Sequence, residues 1–300
     1  MSGQAVRVAA QAKVNLALQV GPRRPDGYHD LATLFARIDL ADDVLVRLGA
    51  SGVTVRMSRG GVPDESAGPA EKNLALLAAR AYMDAARWPN GCAIEIEKRV
   101  PIGAGLGGGS ADAGAVLRAL NALAPRPLPM ERLLRIAKTI GADVPFLTLD
   151  APLALGTHRG DVVEALPPLP TRWIALVLPP FSIATADAYA WLDTDRGAAE
   201  RRPQIDPAGL REASRDWDAL LSVAKNELQP VVDARHPVIG AYGAALARAG
   251  AGIAMMSGSG SAVFGLFVDP PDVAAIARAC KAPAILSHAP ARVVGPVRDE

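Results

Sequence analysis

The sequence predicts an α+β chain folded as two domains, and three observations carry that expectation. Half of its 300 residues are apolar, enough for a large core and more length than one domain commonly takes. Between Cys92 and Leu123 a strand pattern feeds a glycine-rich loop that opens an Ala/Leu-rich run of helical spacing. Beyond the proline-rich stretch from Leu166 to Pro170, strand and helix patterns resume in a new order. The boundary is therefore placed there, with residues 1–165 forming the first domain and 166–300 the second.

Val6 to Val20 alternates apolar and polar residues, as one or two strands would, with Lys13 and Asn15 on one face and Val14 and Leu16 on the other. A lysine set among such residues needs a partner, because lysine is rarely buried unpaired. A solubility lysine on an edge strand is the alternative. Gly21 to Asp30 reads G-P-R-R-P-D-G-Y-H-D, in which Pro25, Asp26 and Gly27 spell a tight turn that lifts Tyr28 and His29 onto a loop. Arg23 and Arg24 add positive charge suited to a diphosphate, or to an ordinary solvated turn. Leu31 to Leu48 and Val53 to Met57 continue as strands. Lys72 to Arg87 has helical spacing, with Leu74, Leu77, Ala78 and Ala81 as its apolar stripe.

Val100 to Asn121 reads V-P-I-G-A-G-L-G-G-G-S-A-D-A-G-A-V-L-R-A-L-N. Without a Cβ, Gly103, Gly105, Gly107, Gly108 and Gly109 let backbone N–H groups converge on one anion, and the helix N-terminus adds its partial positive charge. Ser110 is the expected N-cap, with Asp112 in the first turn. The pattern is that of a phosphate cradle. Gly103, Gly105 and Gly108 satisfy G-x-G-x-x-G, but the acid that a dinucleotide fold places about 20 residues on is missing between Asp112 and Glu131. A Walker loop needs lysine before Ser/Thr, and Gly109 precedes Ser110.

Pro129 opens a helix through Ile140 that Gly141 ends as the residue past the last turn. In G-A-D-V-P-F, Asp143 stands among small and apolar residues, where a carboxylate is either hydrogen-bonded in the turn or functional. Gly156 to Gly160 is a hairpin turn, with His158 an ordinary loop histidine.

From Trp173 the expected order is a strand (Trp173 to Leu178), helices (Thr185 to Asp193, Ala208 to Val223, Asn226 to Arg235, Val238 to Ala249), two strands (Ile253 to Met256, Ala262 to Val268), a helix (Asp272 to Lys281) and a strand (Ala291 to Val297). Apart from the extra helices this is β-α-β-β-α-β, the ferredoxin-like order. S-G-S-G-S, Ser257 to Ser261, joins its central strands.

Lys plus Arg number 32 against 31 for Asp plus Glu, so no global field points to nucleic acid or an anionic membrane. Attraction for a phosphorylated small molecule must be local. Cys92 and Cys280 form no C-x-x-C pair, against a disulfide framework or zinc site. No stretch reaches the ~18 apolar residues of a membrane span, and Met1 to Asn15 lacks an apolar leader core. A cytoplasmic protein, monomeric or weakly dimeric, is expected.

The run Pro101, Gly103, Gly105, Leu106, Gly107, Gly108, Gly109, Ser110, Ala111 resembles the phosphate loop of the GHMP kinases, the superfamily of galactokinase, homoserine kinase and mevalonate kinase, which binds ATP without a Walker lysine. G-A-D-V-P-F and S-G-S-G-S resemble its other motifs, in the same order. A-K-V-N-L (Ala12 to Leu16), D-G-Y-H (Asp26 to His29) and L-x-T-L-F (Leu31 to Phe35) resemble one branch only. That branch phosphorylates a cytidine-diphosphate-linked methylerythritol in non-mevalonate isoprenoid synthesis.

The resemblance implies a GHMP architecture, an N-terminal ATP-binding α+β domain followed by a C-terminal ferredoxin-like domain, with ATP and Mg²⁺ as cofactors. It implies that Asp143 accepts the proton of a tertiary hydroxyl while Lys13 pairs with it and offsets charge, and that Ser110 is a metal ligand. Asn15, Tyr28, His29, Thr185 and Tyr189 fall to the acceptor, with cytosine gripped by His29 and stacked between Tyr28 and Tyr189. Pro179 to Tyr189 resembles the substrate-side segment, in which a threonine precedes an aromatic by four residues. Other GHMP kinases, of homoserine or mevalonate type, and a non-catalytic sensor on the same fold are the alternatives. Two positions depart from the family pattern: Asp161 where glutamate is common, and Gly114 where alanine is usual, a mild cost inside a helix.

Overall fold

Two long strands form the spine, β1 (Ala5–Arg23) and β2 (His29–Ala50), paired antiparallel. Their register shifts between Gln11 and Lys13 and again between Asn15 and Ala17. Such irregularities bend a strand and re-aim its side chains, and here they bracket Lys13 and Asn15. The computed structural model describes residues 4–63, 70–88, 91–197 and 204–299.

β3 (Val53–Arg59), β4 (Val62–Pro63) and β5 (Gly91–Glu97) extend the first sheet on one side of β2, and β6 (Leu153–His158) and β7 (Val162–Ala165) form the expected hairpin beside β2's start. Four helices cover one face: α1 (Leu74–Ala86), α2 (Gly108–Leu123), α3 (Met130–Ile140) and the five-residue α4 (Val144–Thr148). Their apolar sides meet Val6, Val8, Val44, Val46, Ile94 and Ile96 in one core. Where α2 crosses α4, a Cβ on Gly114 would stand 2.6 Å from the Leu147 carbonyl oxygen. Glycine there serves the close approach.

The second sheet holds β8 (Arg172–Val177), β9 (Ile253–Met256), β10 (Val263–Phe267) and β11 (Ala284–Ala289) in the order β11-β8-β10-β9, all antiparallel. Both faces of β8 are buried. Ile174 and Leu176 pack toward the first sheet with Val14, Leu16 and Leu34, while Ala175 and Val177 pack with α5 (Thr185–Arg196), α8 (Gln229–Arg235), α9 (Pro237–Arg248) and α10 (Val273–Cys280). One apolar layer thus joins the two halves. Among the described residues no helix is long and apolar enough to cross a membrane.

Five local expectations are corrected. The N-cap of α2 is Gly107, not Ser110, and Ser110 is the third helical residue. Asp112 consequently lies beyond the first turn and is buried. The buried stripe of α1 is Ala75, Leu76, Ala78, Ala79, Tyr82 and Met83, so Leu74, Leu77 and Ala81 are its flank. Ala208 to Val223 is two helices, α6 (Pro207–Ala213) and α7 (Trp217–Val223), because Asp216 accepts the Ala219 N–H and starts a new one. Finally, the last strand of the second sheet is β11, not Ala291 to Val297. Residues 291–296, following Pro290, run back along the first half, where Ala291 donates to the Arg37 carbonyl and Val294 to the Gln11 side chain, before β12 (Val297–Asp299) pairs with β1. Gly141 ends α3 with φ 179, extended backbone open to any residue.

Candidate active site

The glycine loop hangs from a buried charge cluster. Where β5 ends, Asp42 of β2 accepts the backbone N–H groups of Arg99 (2.5 Å) and Val100 (2.7 Å). Lys98 reaches both Asp42 and, at 2.6 Å, Asp112 of α2. Both ends of the loop are thereby fastened to one ammonium. Burial would lower the Lys98 pKa, but its two carboxylates hold it above the ordinary value. Burial pushes the Asp112 carboxyl up to about 7, with the Asp42 charge adding and Lys98 opposing. One Asp112 oxygen, Oδ1, has no hydrogen-bond partner.

Gly105 and Gly107 adopt positive φ, 76° and 72°, the left-handed region that favours glycine. A Cβ on Gly105 would fall 2.2 Å from the Ser257 carbonyl oxygen, and one on Gly107 3.1 Å from Lys13 Cγ. The S-G-S-G-S turn closes directly on the loop: Ser257 donates its hydroxyl to the Gly105 carbonyl at 3.0 Å, and the Ala262 N–H donates to the Ala104 carbonyl at 3.1 Å. Asn226 holds that turn by donating to the Met256 and Gly258 carbonyls.

Lys13 is 3% exposed. Its backbone N–H donates to the Leu106 carbonyl at 3.0 Å, while Nζ donates to Asn15 Oδ1 at 2.8 Å and stands 3.3 Å from Asp143 Oδ2. The Asn15 amide is fixed by a relay. Thr33 spends its proton on the Ala17 carbonyl, so it must accept from Asn15 Nδ2, which leaves Oδ1 facing the ammonium. Asp143 occupies the N-cap position of α4 without capping it and keeps a partly open carboxylate. Its ion pair with Lys13 is what the isolated acid and the inward lysine called for.

On the acceptor side, α5 carries Thr185, Tyr189 and Asp193 four residues apart, one face of a helix. Thr185 and Ser259 share a hydroxyl hydrogen bond of 3.0 Å. His29 Nε2 bonds Asp193 Oδ1 at 2.8 Å, and its ring stacks on Tyr189 with centroids 5.2 Å apart. Burial and the Asp143 charge push the Tyr189 hydroxyl well above its usual pKa. All these side chains, with the loop, line one cleft of about 1290 Å³.

The structure therefore brings together Lys13, Asn15, Asp143 and the glycine loop, and separately His29, Tyr189 and Thr185, on walls of the same cleft. Tyr28 stands apart from that second group. It is 55% exposed at the rim with the Arg159 guanidinium over its ring, and one face of Tyr189 is already taken by His29. The open two-tyrosine slot expected from the sequence is thus partly filled from within, because His29 begins β2 and points inward. Asp193 was missed although its spacing from Thr185 and Tyr189 was readable. The Lys98, Asp42, Asp112 cluster was missed because Asp42 comes from β2, far in sequence from the Lys98 and Asp112 that flank the loop.

Residues 73–150 match the GHMP kinases N terminal domain and residues 208–285 the GHMP kinases C terminal domain. The first match contains the glycine loop and Asp143, the second the S-G-S-G-S turn. The 4-diphosphocytidyl-2-C-methyl-D-erythritol kinase of Geobacter metallireducens is 40% identical over 265 residues, 88% of this chain and 90% of that protein. The chain belongs to the 4-diphosphocytidyl-2-C-methyl-D-erythritol kinase family of GHMP kinases. A second family member, from Citrifermentans bemidjiense, is 41% identical over 266 residues, 87% of this chain and 89% of that one. A crystal structure of a kinase of this family superposes with a TM-score of 0.75 at 34% identity, covering 94% of this chain and 98% of that one. Homoserine kinase from Cytophaga hutchinsonii, at 22% identity and a TM-score of 0.74 over 98% of this chain and 97% of its own, shares the fold.

Proposed function

We propose that the protein transfers the γ-phosphoryl group of ATP to the 2-hydroxyl of 4-diphosphocytidyl-2-C-methyl-D-erythritol, the family's reaction in isoprenoid precursor synthesis. The observation that carries the catalytic reading is the 3.3 Å pair between Lys13 and Asp143 beside the glycine loop. Asp143 accepts the hydroxyl proton as the oxygen forms its bond to the γ-phosphorus and the bond from that phosphorus to the β-phosphate oxygen breaks, releasing ADP. Lys13 offsets charge on the transferred group and, through its ion pair, holds the Asp143 carboxylate in place. Such transfer asks mainly for positioning and charge neutralisation.

The loop from Pro101 to Ala111 holds the nucleotide phosphates, its N–H groups and the start of α2 facing them. Magnesium fits as an ion carried in on those phosphates. Among the described residues no group of three or more His, Cys, Asp or Glu side chains could hold a metal by itself, and Mg²⁺ commonly keeps its waters and takes few protein oxygens. Ser110 would supply one. When bound, the ion neutralises charge between the phosphates.

His29 and Tyr189 take the cytosine, with Tyr28 closing from the rim and Thr185 and Asn15 nearer the sugar alcohol. The testing experiment measures ADP release with a panel of acceptor alcohols. The full cytidylylated acceptor should be preferred strongly over 2-C-methyl-D-erythritol 4-phosphate. Equal turnover of the two would leave only an unspecified GHMP kinase.

A further inference from the structure

Arg37 is the largest fully buried side chain among the described residues, 1% exposed. No carboxylate among the described residues forms an ion pair with it. Its guanidinium donates instead to three carbonyls, Phe146 (3.1 Å), Leu149 (3.0 Å) and Ala151 (3.4 Å), and lies over the Phe146 ring at 5.2 Å. Burial lowers its pKa to about 9, with Arg118 adding and Asp150 opposing, so the group still carries its charge near neutral pH. A buried cation with no carboxylate in direct contact is costly, and its neighbours show what the cost supports.

The three carbonyls belong to the C-terminal end of α4 and the residues after it, and the N-cap of α4 is Asp143. A helix of five residues cannot hold its own shape. Here one side lies against α2, whose backbone at Gly114 touches Leu147, and the far end is gathered by a cation, the charge that suits a helix C-terminus. Phe146 also stacks on Phe35 at 5.0 Å, and Phe35 lies under Lys13 Nζ at 5.7 Å. Arg37 is thus joined to both ends of the Lys13–Asp143 pair, through carbonyls on one side and through two rings on the other.

We infer that Arg37 is a positioning residue for phosphoryl transfer, clamping α4 so that Asp143 stays at its working distance from Lys13 and from the acceptor hydroxyl. This rests on the reading of Asp143 as the proton acceptor. A group that merely stabilised the fold would alter melting and leave kcat alone.

The test assays Arg37→Met and Arg37→Lys beside Leu246→Ala, a buried substitution in α9 remote from the cleft, at a temperature where circular dichroism shows each protein folded. Arg37→Met should lose about tenfold or more in kcat with the KM for ATP within about twofold, and Arg37→Lys should recover part of the loss. Leu246→Ala should melt earlier yet keep its kcat. A kcat within about twofold of wild type in Arg37→Met, or an equal kcat loss in Leu246→Ala, overturns the inference. If Arg37→Met does not fold, Arg37→Lys decides by the same criteria. Asp143→Asn separates the two readings. If it turns over normally, the role of Asp143 and the inference both fall, whereas a slow Asp143→Asn with a fast Arg37→Met removes Arg37 alone. Adding Arg37→Met to Asp143→Asn should cost little further.

Discussion

Lys13 and Arg37 are register partners across β1 and β2, two buried cations on the same face of one sheet, and each takes one ring of the stacked Phe35–Phe146 pair. Like charges directly opposite on a strand pair are ordinarily destabilising. The arrangement persists because each head has its own oxygens: Asn15 and Asp143 for Lys13, three carbonyls for Arg37.

Replacing Lys13 should be felt in chemistry first. Lys13→Ala is expected to lower kcat by roughly 10²-fold, and Asp143→Asn by a similar factor, with the double variant far from additive because both act on one transition state. Steady-state kinetics on all three proteins checks this. Additive losses would mean that the two residues work separately.

In the glycine loop, Gly105 and Gly107, two of its three positive-φ positions, should fail differently. Gly105→Ala meets a backbone carbonyl and a strained φ, which should cost about 1–3 kcal/mol or more together with most ATP affinity. Gly107→Val presses on the Lys13 side chain, so its kcat should fall along with a rise in the KM for ATP. Thermal melts and nucleotide titration follow both. A Gly105→Ala protein that melts and binds ATP like wild type would move the phosphates elsewhere.

Gly114→Ala pits two magnitudes against each other. Helix propensity favours alanine by about 1 kcal/mol, whereas forcing a methyl against the Leu147 carbonyl costs about 1–3 kcal/mol. The clash should win, giving a lower Tm and, because α4 shifts, a lower kcat. A stabilised, fully active variant would show that α2 and α4 separate freely.

The buried Asp112 carboxyl makes stability depend on pH. Asp112 has a folded pKa near 7, raised above its unfolded value, so the folded state binds more protons between about pH 4 and 7 and stability falls as pH rises through that window. Lys98, whose folded pKa is also raised, keeps its contribution below its unfolded pKa and loses it only in strongly alkaline solution. Asp112→Asn mimics the protonated acid and should gain on wild type by about 1 kcal/mol or more between pH 5 and pH 8. Melting curves at those two values test it. A constant difference would show that Asp112 stays ionised throughout.

Asp193 should matter to the acceptor alone. Asp193→Ala frees the His29 ring, and the expected result is a rise of about tenfold in KM for the cytidylylated acceptor with the KM for ATP unmoved. Tyr189→Ala, which removes a stacking face worth about 1–3 kcal/mol, should cost at least as much, and Tyr28→Ala less because its ring already stands at the rim. Equal effects from the two tyrosines would restore the open slot.

Legibility followed the range of the interactions. The glycine loop was readable because Gly103 to Ser110 are contiguous and their backbone requirements are local. Asp143 and Lys13 stood out singly, as a carboxylate and an ammonium in settings that tolerate neither alone, and their meeting needed only one partner each. The ferredoxin-like order survived, yet its last strand was displaced to Ala284–Ala289, because alternation in Ala291 to Val297 looks the same whether the residues pair with β8 or lie along the first half. Arg37 gave no signal. An arginine whose hydrogen bonds go to the carbonyls of residues 146–151 cannot be told from a surface arginine until the chain has folded.

The closure of the loop by the second half also orders events during synthesis. Gly105 leaves the ribosome long before its partner, since the hydroxyl that fastens it belongs to Ser257, 152 residues later. The Ala104 carbonyl likewise waits for Ala262. A nascent chain carrying only the first half has the glycines, Lys13 and Asp143 in its sequence, but its loop lacks one wall. With the phosphates placed as proposed, the site is complete only when translation is nearly finished, so mass-action stabilisation by ATP reaches the finished chain rather than a stalled fragment.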